Sequence, residues 1–415
     1  MRNLEGRRIV SDRVVLAYSG GLDTTVSIKW LQDKYKAEVI TVTLNMGQLE
    51  DLAGIEEKAR SLGVVNHYSI EATEEFVREY VSRAVKANAL YEGKYPLSTA
   101  ISRPLIAYKL VEVAEKEHAA AVAHGCTGKG NDQVRIEVGV RALAPSLKII
   151  APVREWGLDR VFEMDYARKH GIPVKVRDSA YSLDQNLWGR SIECGPLEDP
   201  NQAPPREVFK WTVAPEEALD RPEFVDVGFD EGVPVRLNGE RVDGVSLLKT
   251  LNSLAGKHGV GRIDHIEDRV IGIKSREVYE CPAATCILEA HKDLEKLVLT
   301  PGEIMFKESV DRQWAALVYG GLWLDPLRQD LEAFIGETQR RVTGEVRLKL
   351  FKGSVQVLGR ASSYSLYDVN LATYEAKTTF NQEASKGFIE LWGLPTVVAH
   401  QVLSRKIKEK GGDAP

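Results

Sequence analysis

Two periodicities trade places along the first 170 or so residues. "RVVLAY", Arg13 to Tyr18, is a short apolar run that gives way, after Ser19-Gly20-Gly21, to an amphipathic stretch from Asp23 to Lys34. An apolar run of that length ending in glycines reads as a buried strand, and apolar residues returning every third or fourth position read as a helix. The pair recurs. "AEVITVTLNMGQ" (Ala37 to Gln48) predicts a strand and loop, "DLAGIEEKARSLG" a helix closed by Gly63, and "VVNHYSI" a third strand. Helices are expected over Thr73 to Leu90 and Pro104 to Glu117, and strands at Ala119 to His124 and in "SLKIIAP". Strands separated by helical stretches argue for an α/β class: a parallel sheet covered on both faces, in an open nucleotide-type domain over 1–172.

The rhythm breaks in "HGIPVKVRDSAYSLDQNLWGRSIECGPLEDPNQAPP", where prolines and glycines interrupt every period. Beyond it, "REVFKWTV", "EFVDVGFD", "VPVRLNGERVDG", "RVIGIKSREVYEC" and "GEVRLKLFKGSVQVLG" are β-like segments, the third with an Asn-Gly hairpin signature. Helices are expected at Ser246 to Lys257 and Thr285 to Leu299. This predicts a second domain, α+β and sheet-rich, over 173–380. The tail, 381–415, reads as two helical pieces split at "GLP". Phe388, Leu391, Trp392, Val398, Val402 and Leu403 share an apolar face that either folds back on its own chain or packs on a partner subunit.

Composition narrows the partners. The chain has 415 residues, 28% of them charged, and a formal net charge of −5, so nothing global attracts nucleic acid or an anionic membrane. No apolar run approaches the roughly 20 residues of a membrane span. "MRNLEGRRIV" has no secretory core, which points to a cytoplasmic chain. Cys126, Cys194, Cys281 and Cys286 form no Cys-x-x-Cys pair and have no histidines at zinc-finger spacing, so packed, reduced thiols are expected.

The chemistry concentrates in two glycine turns. "AYSGGLDTT" is neither a P-loop nor a Gly-x-Gly-x-x-Gly dinucleotide turn. It still suits an anion: Gly20 and Gly21 let backbone amides close in, Ser19, Thr24 and Thr25 add hydroxyls, and the helix from Asp23 directs its positive end there. The alternative is a tight turn in which Ser19 or Asp23 caps the helix. In the second turn, "HGCTGKGNDQVR", three glycines precede Asn131, Asp132 and Arg135 at a helix start.

The string Ser-Gly-Gly-Leu-Asp-Thr at the end of a first strand resembles the pyrophosphate loop of the ATP pyrophosphatase (PP-loop) group. The second turn, with "YEGKYPLSTAISRP", "SLDQNLWGRSIECG", "GVGRIDHIEDRVIGIKSREVYECPA" and "YSLYD", is similar to the argininosuccinate synthase family across nearly the whole chain. The resemblance implies an adenine nucleotide alpha hydrolase-like first domain, a synthetase domain and a C-terminal oligomerisation arm, assembled as a homotetramer. It implies a ligase that joins citrulline to aspartate in arginine biosynthesis, using ATP and Mg²⁺ and releasing AMP and diphosphate.

Roles carry over by the same resemblance. Ala17, Tyr18, Ser19, Gly20, Gly21, Leu22, Asp23, Thr24 and Thr25 would line the ATP phosphates, with Leu44 and Gly125 against the nucleotide. Thr127, Asn131 and Asp132 match aspartate positions. Tyr95, Asn131, Arg135, Ser182, Ser191, Glu267 and Tyr279 match citrulline positions, the last two otherwise readable as a surface charge and a strand residue. Asp132 and Asp23 are the catalytic candidates, Asp23 serving as helix-start residue, magnesium ligand or both; Lys129 is a further phosphate candidate. Ala100 stands where some members carry Ser. Two rivals remain at this point: a tRNA thiolase of the same group, which needs a basic surface and paired reactive cysteines, and a non-catalytic nucleotide-binding regulator.

Overall fold

A computed structural model describes residues 13–48, 51–157, 160–172, 181–375 and 377–409. The N-terminal decapeptide "MRNLEGRRIV" lies outside these residues, as does 173–180, where the sequence leads one to expect a second domain to begin. Residues up to Tyr364 pack as one compact unit and Ser365 onward form another.

The first sheet joins β1 (Arg13–Ala17), β2 (Glu38–Asn45), β3 (Asn66–Glu71), β4 (Ala121–Ala123) and β5 (Lys148–Ile150), all parallel, in the order β3-β2-β1-β4-β5. Its central strands β1 and β4 are apolar at nearly every position because both faces are covered. Val15, Ile40 and Val122 enter one core, while Val14, Leu16, Val39 and Ala121 enter another on the opposite side. Helices Leu22–Tyr35, Leu52–Ser61, Ser102–Lys116 and Asn131–Leu143 supply the covering. The order reverses at β1, whose neighbours are β2 and β4. Connections leaving β1 and β4 therefore part in opposite directions and open a crevice at the carboxyl ends of these strands, the usual ligand position in an open α/β sheet. Both glycine turns sit there. The expected Thr73–Leu90 helix is helical to Lys86 but carries a π-helical turn at Phe76–Val81.

Two antiparallel sheets follow. The first takes β6 (Ser182–Asn186), β7 (Gly189–Glu193), β11 (Arg262–Asp268) and β12 (Lys274–Glu280) in the order β11-β12-β7-β6. The second takes β8 (Glu223–Asp230), β9 (Val233–Leu237), β10 (Glu240–Arg241), β13 (Gly344–Phe351) and β14 (Ser354–Ala361) in the order β10-β9-β8-β13-β14. Helices Gly244–Lys257, Pro282–Val298, Pro301–Tyr319 and Pro326–Gln339 complete this part.

Three expectations need correction. "REVFKWTV" is not a strand: a 3-10 turn at Arg206–Val208 leads into a segment whose Lys210, Trp211 and Thr212 amides, 2.8 to 3.0 Å away, donate to the buried Glu280 carboxylate. Amides committed to a carboxylate cannot build a ladder. The tail does not split at "GLP"; Ala384–Glu409 is one helix with Pro395 inside it. Proline keeps a helical φ and removes a single N–H, a loss a long helix absorbs. The thiols are free as expected, and Cys281 and Cys286 are buried, but Cys194 is exposed. Within the tail, Phe388, Leu391, Trp392 and Val398 are exposed, and the Phe388 and Trp392 rings stack 5.5 Å apart.

Candidate active site

The β1 turn is built for open amides. Gly20 has φ +74, and a Cβ there would lie 2.9 Å from Ile55, so glycine is required both by conformation and by space. Gly21 stands at the N-cap of helix Leu22–Tyr35 with no side-chain cap, so the helix's first amides face outward unfilled and the capping alternative for Ser19 and Asp23 falls away. The hydroxyls brace the turn instead. Ser19 Oγ lies 3.2 Å from Thr24 Oγ1 and accepts from the Gly21 amide at 3.3 Å, and Thr25 Oγ1 donates to the Gly21 carbonyl at 2.6 Å. Lys58 Nζ holds the Gly20 carbonyl at 2.9 Å.

Gly125, at the mouth of β4, brings the second turn against the first: a Cβ there would meet the Thr24 methyl at 2.7 Å. The Cys126 amide donates to His124 Nδ1 at 3.2 Å, so Nε2 carries the proton donated to Glu137, also at 3.2 Å. Gly130 then starts helix Asn131–Leu143, again without a side-chain cap.

The opposite wall is one face of the four-stranded sheet. Asp184 pairs with Ser191, Ser191 with Tyr279, and Ser275 with Glu267. Alternation therefore turns Ser182, Asp184, Ser191, Glu193, Glu277, Tyr279 and Glu267 to the cavity and Ile192 and Val278 to the core. The cavity holds about 490 Å³, within the usual range for a small-molecule site, and Val42, Leu44, Met46 and Ile106 give it an apolar corner.

Charges are arranged in pairs across it. Asp132 accepts from Arg103 Nη2 at 2.6 Å and from Arg135 Nη1 at 3.0 Å, while Arg103 also bonds Asp184. Burial alone would raise the Asp132 carboxyl, but the two guanidiniums outweigh it and hold it at about 2. Glu193 and Glu277 share Arg269 Nη2, at 2.5 and 2.8 Å. Burial, then the neighbouring Glu193, pushes Glu277 up to about 8. Glu267, 3% exposed, accepts phenolic hydrogen bonds from Tyr279 at 2.7 Å and Tyr319 at 2.6 Å.

A nucleotide-type crevice and an amino-acid-sized polar wall thus share one cavity, and the comparisons identify the combination. The model described as arginosuccinate synthase N-terminal HUP domain matches residues 13–173, and that of the arginosuccinate synthase C-terminal domain matches 181–399. A curated protein of Pyrococcus furiosus named argininosuccinate synthase is 60% identical over 94% of this chain and 95% of its own length. One of Bacillus mycoides with the same name is 57% identical over 95% and 99%, and one of Bacillus thuringiensis is 56% identical over the same shares. The chain belongs to the argininosuccinate synthase family.

The family-matched residues converge almost completely. Ala17, Tyr18, Ser19, Gly21, Leu22, Asp23, Thr24, Leu44, Gly125, Thr127, Asn131, Asp132, Arg135, Tyr95, Ser182, Ser191, Glu267 and Tyr279 all line the cavity. Gly20 and Thr25 stand behind the lining and brace the turn. Tyr95 contributes its ring rather than its hydroxyl. The ring stacks on Tyr279 at 4.2 Å, and the hydroxyl bonds the Thr99 amide at 2.9 Å and Thr99 Oγ1 at 2.8 Å. Ala100, fully buried, packs beneath that hydroxyl. Arg103, Asp184, Glu193, Arg269, Glu277 and Tyr319 escaped the sequence reading. Polar residues at alternate positions of "SLDQN" and "SREVYE" were the available signal for the sheet residues; for Arg103, in the first turn of helix Ser102–Lys116, and Tyr319, at the end of helix Pro301–Tyr319, there was none.

Proposed function

We propose that this chain condenses citrulline with aspartate at the expense of ATP, forming argininosuccinate, AMP and diphosphate. The observation that carries the reading is the single cavity in which the uncapped β1 turn, the Arg135–Glu267 pair and Asp132 face one another. Uncapped amides and hydroxyls of Ser19 to Thr24 suit the phosphates, and the apolar corner around Leu44 suits an adenine. Citrulline's amino-acid end needs a cation and an anion: Arg135 Nη2 is a buried N–H with no acceptor, and Glu267 keeps lone pairs beyond its two phenols.

The ureido oxygen of citrulline attacks the α-phosphorus, and the α–β bridging oxygen leaves with diphosphate. The ureido carbon now bears AMP as leaving group. The aspartate amine, having lost a proton, attacks that carbon, and AMP departs as the new C–N bond forms. Both steps draw mainly on positioning and charge stabilisation. Held at about 2, Asp132 is suited to hold the aspartate ammonium as a fixed anion, and poorly suited to take its proton. Among the described residues, no group of three or more His, Cys, Asp or Glu side chains is placed to hold a metal. Magnesium bound through phosphates needs only one or two carboxylates, and Asp23, in the lining beside Ser19 and Gly21, would be one. It would neutralise phosphate charge there.

No helix among the described residues is long and apolar enough to cross a membrane. From the family resemblance and the exposed apolar face of its tail, we further propose a cytoplasmic enzyme assembled as a homotetramer through that tail. Supplying ATP, citrulline and aspartate together is expected to yield AMP and diphosphate in equal amounts, dependent on citrulline. Stoichiometric ADP and phosphate would overturn the assignment.

A further inference from the structure

Asn131 and Arg135 belong to the helix that follows β4, and Glu267 belongs to β11. What joins them is Tyr319, the last residue of helix Pro301–Tyr319, about 180 residues away in sequence from the first pair. Its hydroxyl donates to Glu267 Oε1 at 2.6 Å and accepts from Asn131 Nδ2 at 2.8 Å. Its carbonyl accepts from Arg135 Nε at 2.9 Å, and the Arg135 guanidinium lies 4.8 Å from its ring centroid. Its other neighbours are aromatic: Tyr91 stacks parallel at 3.4 Å and Tyr95 meets it edge-on at 6.3 Å.

The chain around Tyr319 is fitted to this position. Gly321 has φ +80, and a Cβ there would sit 2.9 Å from Arg135 Cα. The helix end therefore lies directly against the Arg135 backbone. Upstream, Lys307 and Asp311 of the same helix are buried and paired at 2.8 Å, and Lys307 also bonds Glu295 at 3.0 Å, which anchors the helix to Pro282–Val298. Tyr319 is 2% exposed and has little freedom to move.

We infer that Tyr319 is a positioning residue that gauges the separation between the Arg135 cation and the Glu267 anion, and through it the selectivity for a substrate carrying both an α-carboxylate and an α-ammonium. The inference rests on the functional reading above. The physical reason is that the openings left at each pole are fixed by the bonds already made. Arg135 spends Nε on the Tyr319 carbonyl and Nη1 on Asp132, leaving Nη2 free. Glu267 gives one phenol to each oxygen, leaving one lone pair on each to meet an ammonium. A single hydroxyl and a single carbonyl of one rigid residue fix both openings relative to each other. Removing the hydroxyl lets Glu267 turn about its remaining bond to Tyr279 and frees the Asn131 amide, while the ring stack survives.

The test compares citrulline with 5-ureidopentanoate, which has the carboxylate and ureido group but no ammonium. In Tyr319→Phe the citrulline KM is expected to rise about 10- to 30-fold, with kcat changed less than about threefold and the KM for ATP unmoved. The kcat/KM preference for citrulline over the ammonium-free analogue should shrink about tenfold. A general loss of packing would lower both substrates alike and leave that preference unchanged. Replacing Tyr319 by 4-aminophenylalanine, which keeps a donor and an acceptor at the same place, should restore the preference to within about threefold of the parent. A folded phenylalanine variant with the parental preference, or a folded amino variant that fails to restore it, overturns the inference. A parent enzyme that does not turn citrulline over fails at the functional reading instead, and this inference falls with it.

Discussion

Replacing Asp132 by Asn tests how one carboxylate divides its work between holding arginines and holding substrate. Asp132 gives one oxygen to Arg103 at 2.6 Å and the other to Arg135 at 3.0 Å. Asparagine can accept from only one of them and turns an NH₂ toward the other. Moving the carboxyl from 3.8 to about 2 corresponds to about 2 kcal/mol of preference for its charged form. The side chain is 32% exposed, so solvent screening reduces that to about 1–2 kcal/mol of folding stability. Because the folded-state value is depressed, this stability is present above about 3.8 and lost as pH falls through about 2. Asp184 still holds Arg103, and the Tyr319 carbonyl still holds Arg135. The adenylation step should therefore weaken only a few-fold. The aspartate-dependent step loses a charge-assisted contact worth on the order of 2 kcal/mol, roughly thirtyfold. Single-turnover formation of adenylated citrulline without aspartate, compared with argininosuccinate formation when aspartate is added, separates the two. Equal losses in both steps would show that Asp132 serves the arginines alone, and the role given to it here would be wrong.

Two further outcomes are expected. Glu277 titrates at about 8 in the folded chain against 4.5 ordinarily, so the folded state keeps a proton that the unfolded state releases; the resulting destabilisation is absent below about 4.5 and complete above about 8. Glu277→Gln should thus melt with the parent at pH 5 and above it at pH 9, and a variant that melts lower at pH 9 would contradict the buried-pair account. Removing the tail from Asn381 takes away the exposed Phe388, Leu391, Trp392 and Val398 face. Light scattering should then find species smaller than the parent, whereas an unchanged number of subunits would assign the tail to its own chain.

The sequence by itself determined the first domain and the identity of the turns, because those are local. A strand, a Ser-Gly-Gly turn and a helix start occupy consecutive residues, so hydrophobic period and glycine placement specify them together. The β9–β10 hairpin, and the strand character of the segment that forms β13 and β14, were legible for the same reason. Helices Pro301–Tyr319 and Pro326–Gln339 went unread although Thr300 and Glu303 form a capping box and Asp325 caps the second. Their signal lies at the ends, where only a search for caps finds it. The tertiary structure alone decided the site's electrostatics. Which guanidinium faces Asp132, that Glu193 and Glu277 share one arginine, and that Tyr319 links Asn131 to Glu267 all follow from strand register and from a helix end meeting residues far away in sequence. Hydrogen bonding and charge coupling act through a few ångströms of space, and the hydrophobic period along the chain carries no record of which distant residues will be brought that close.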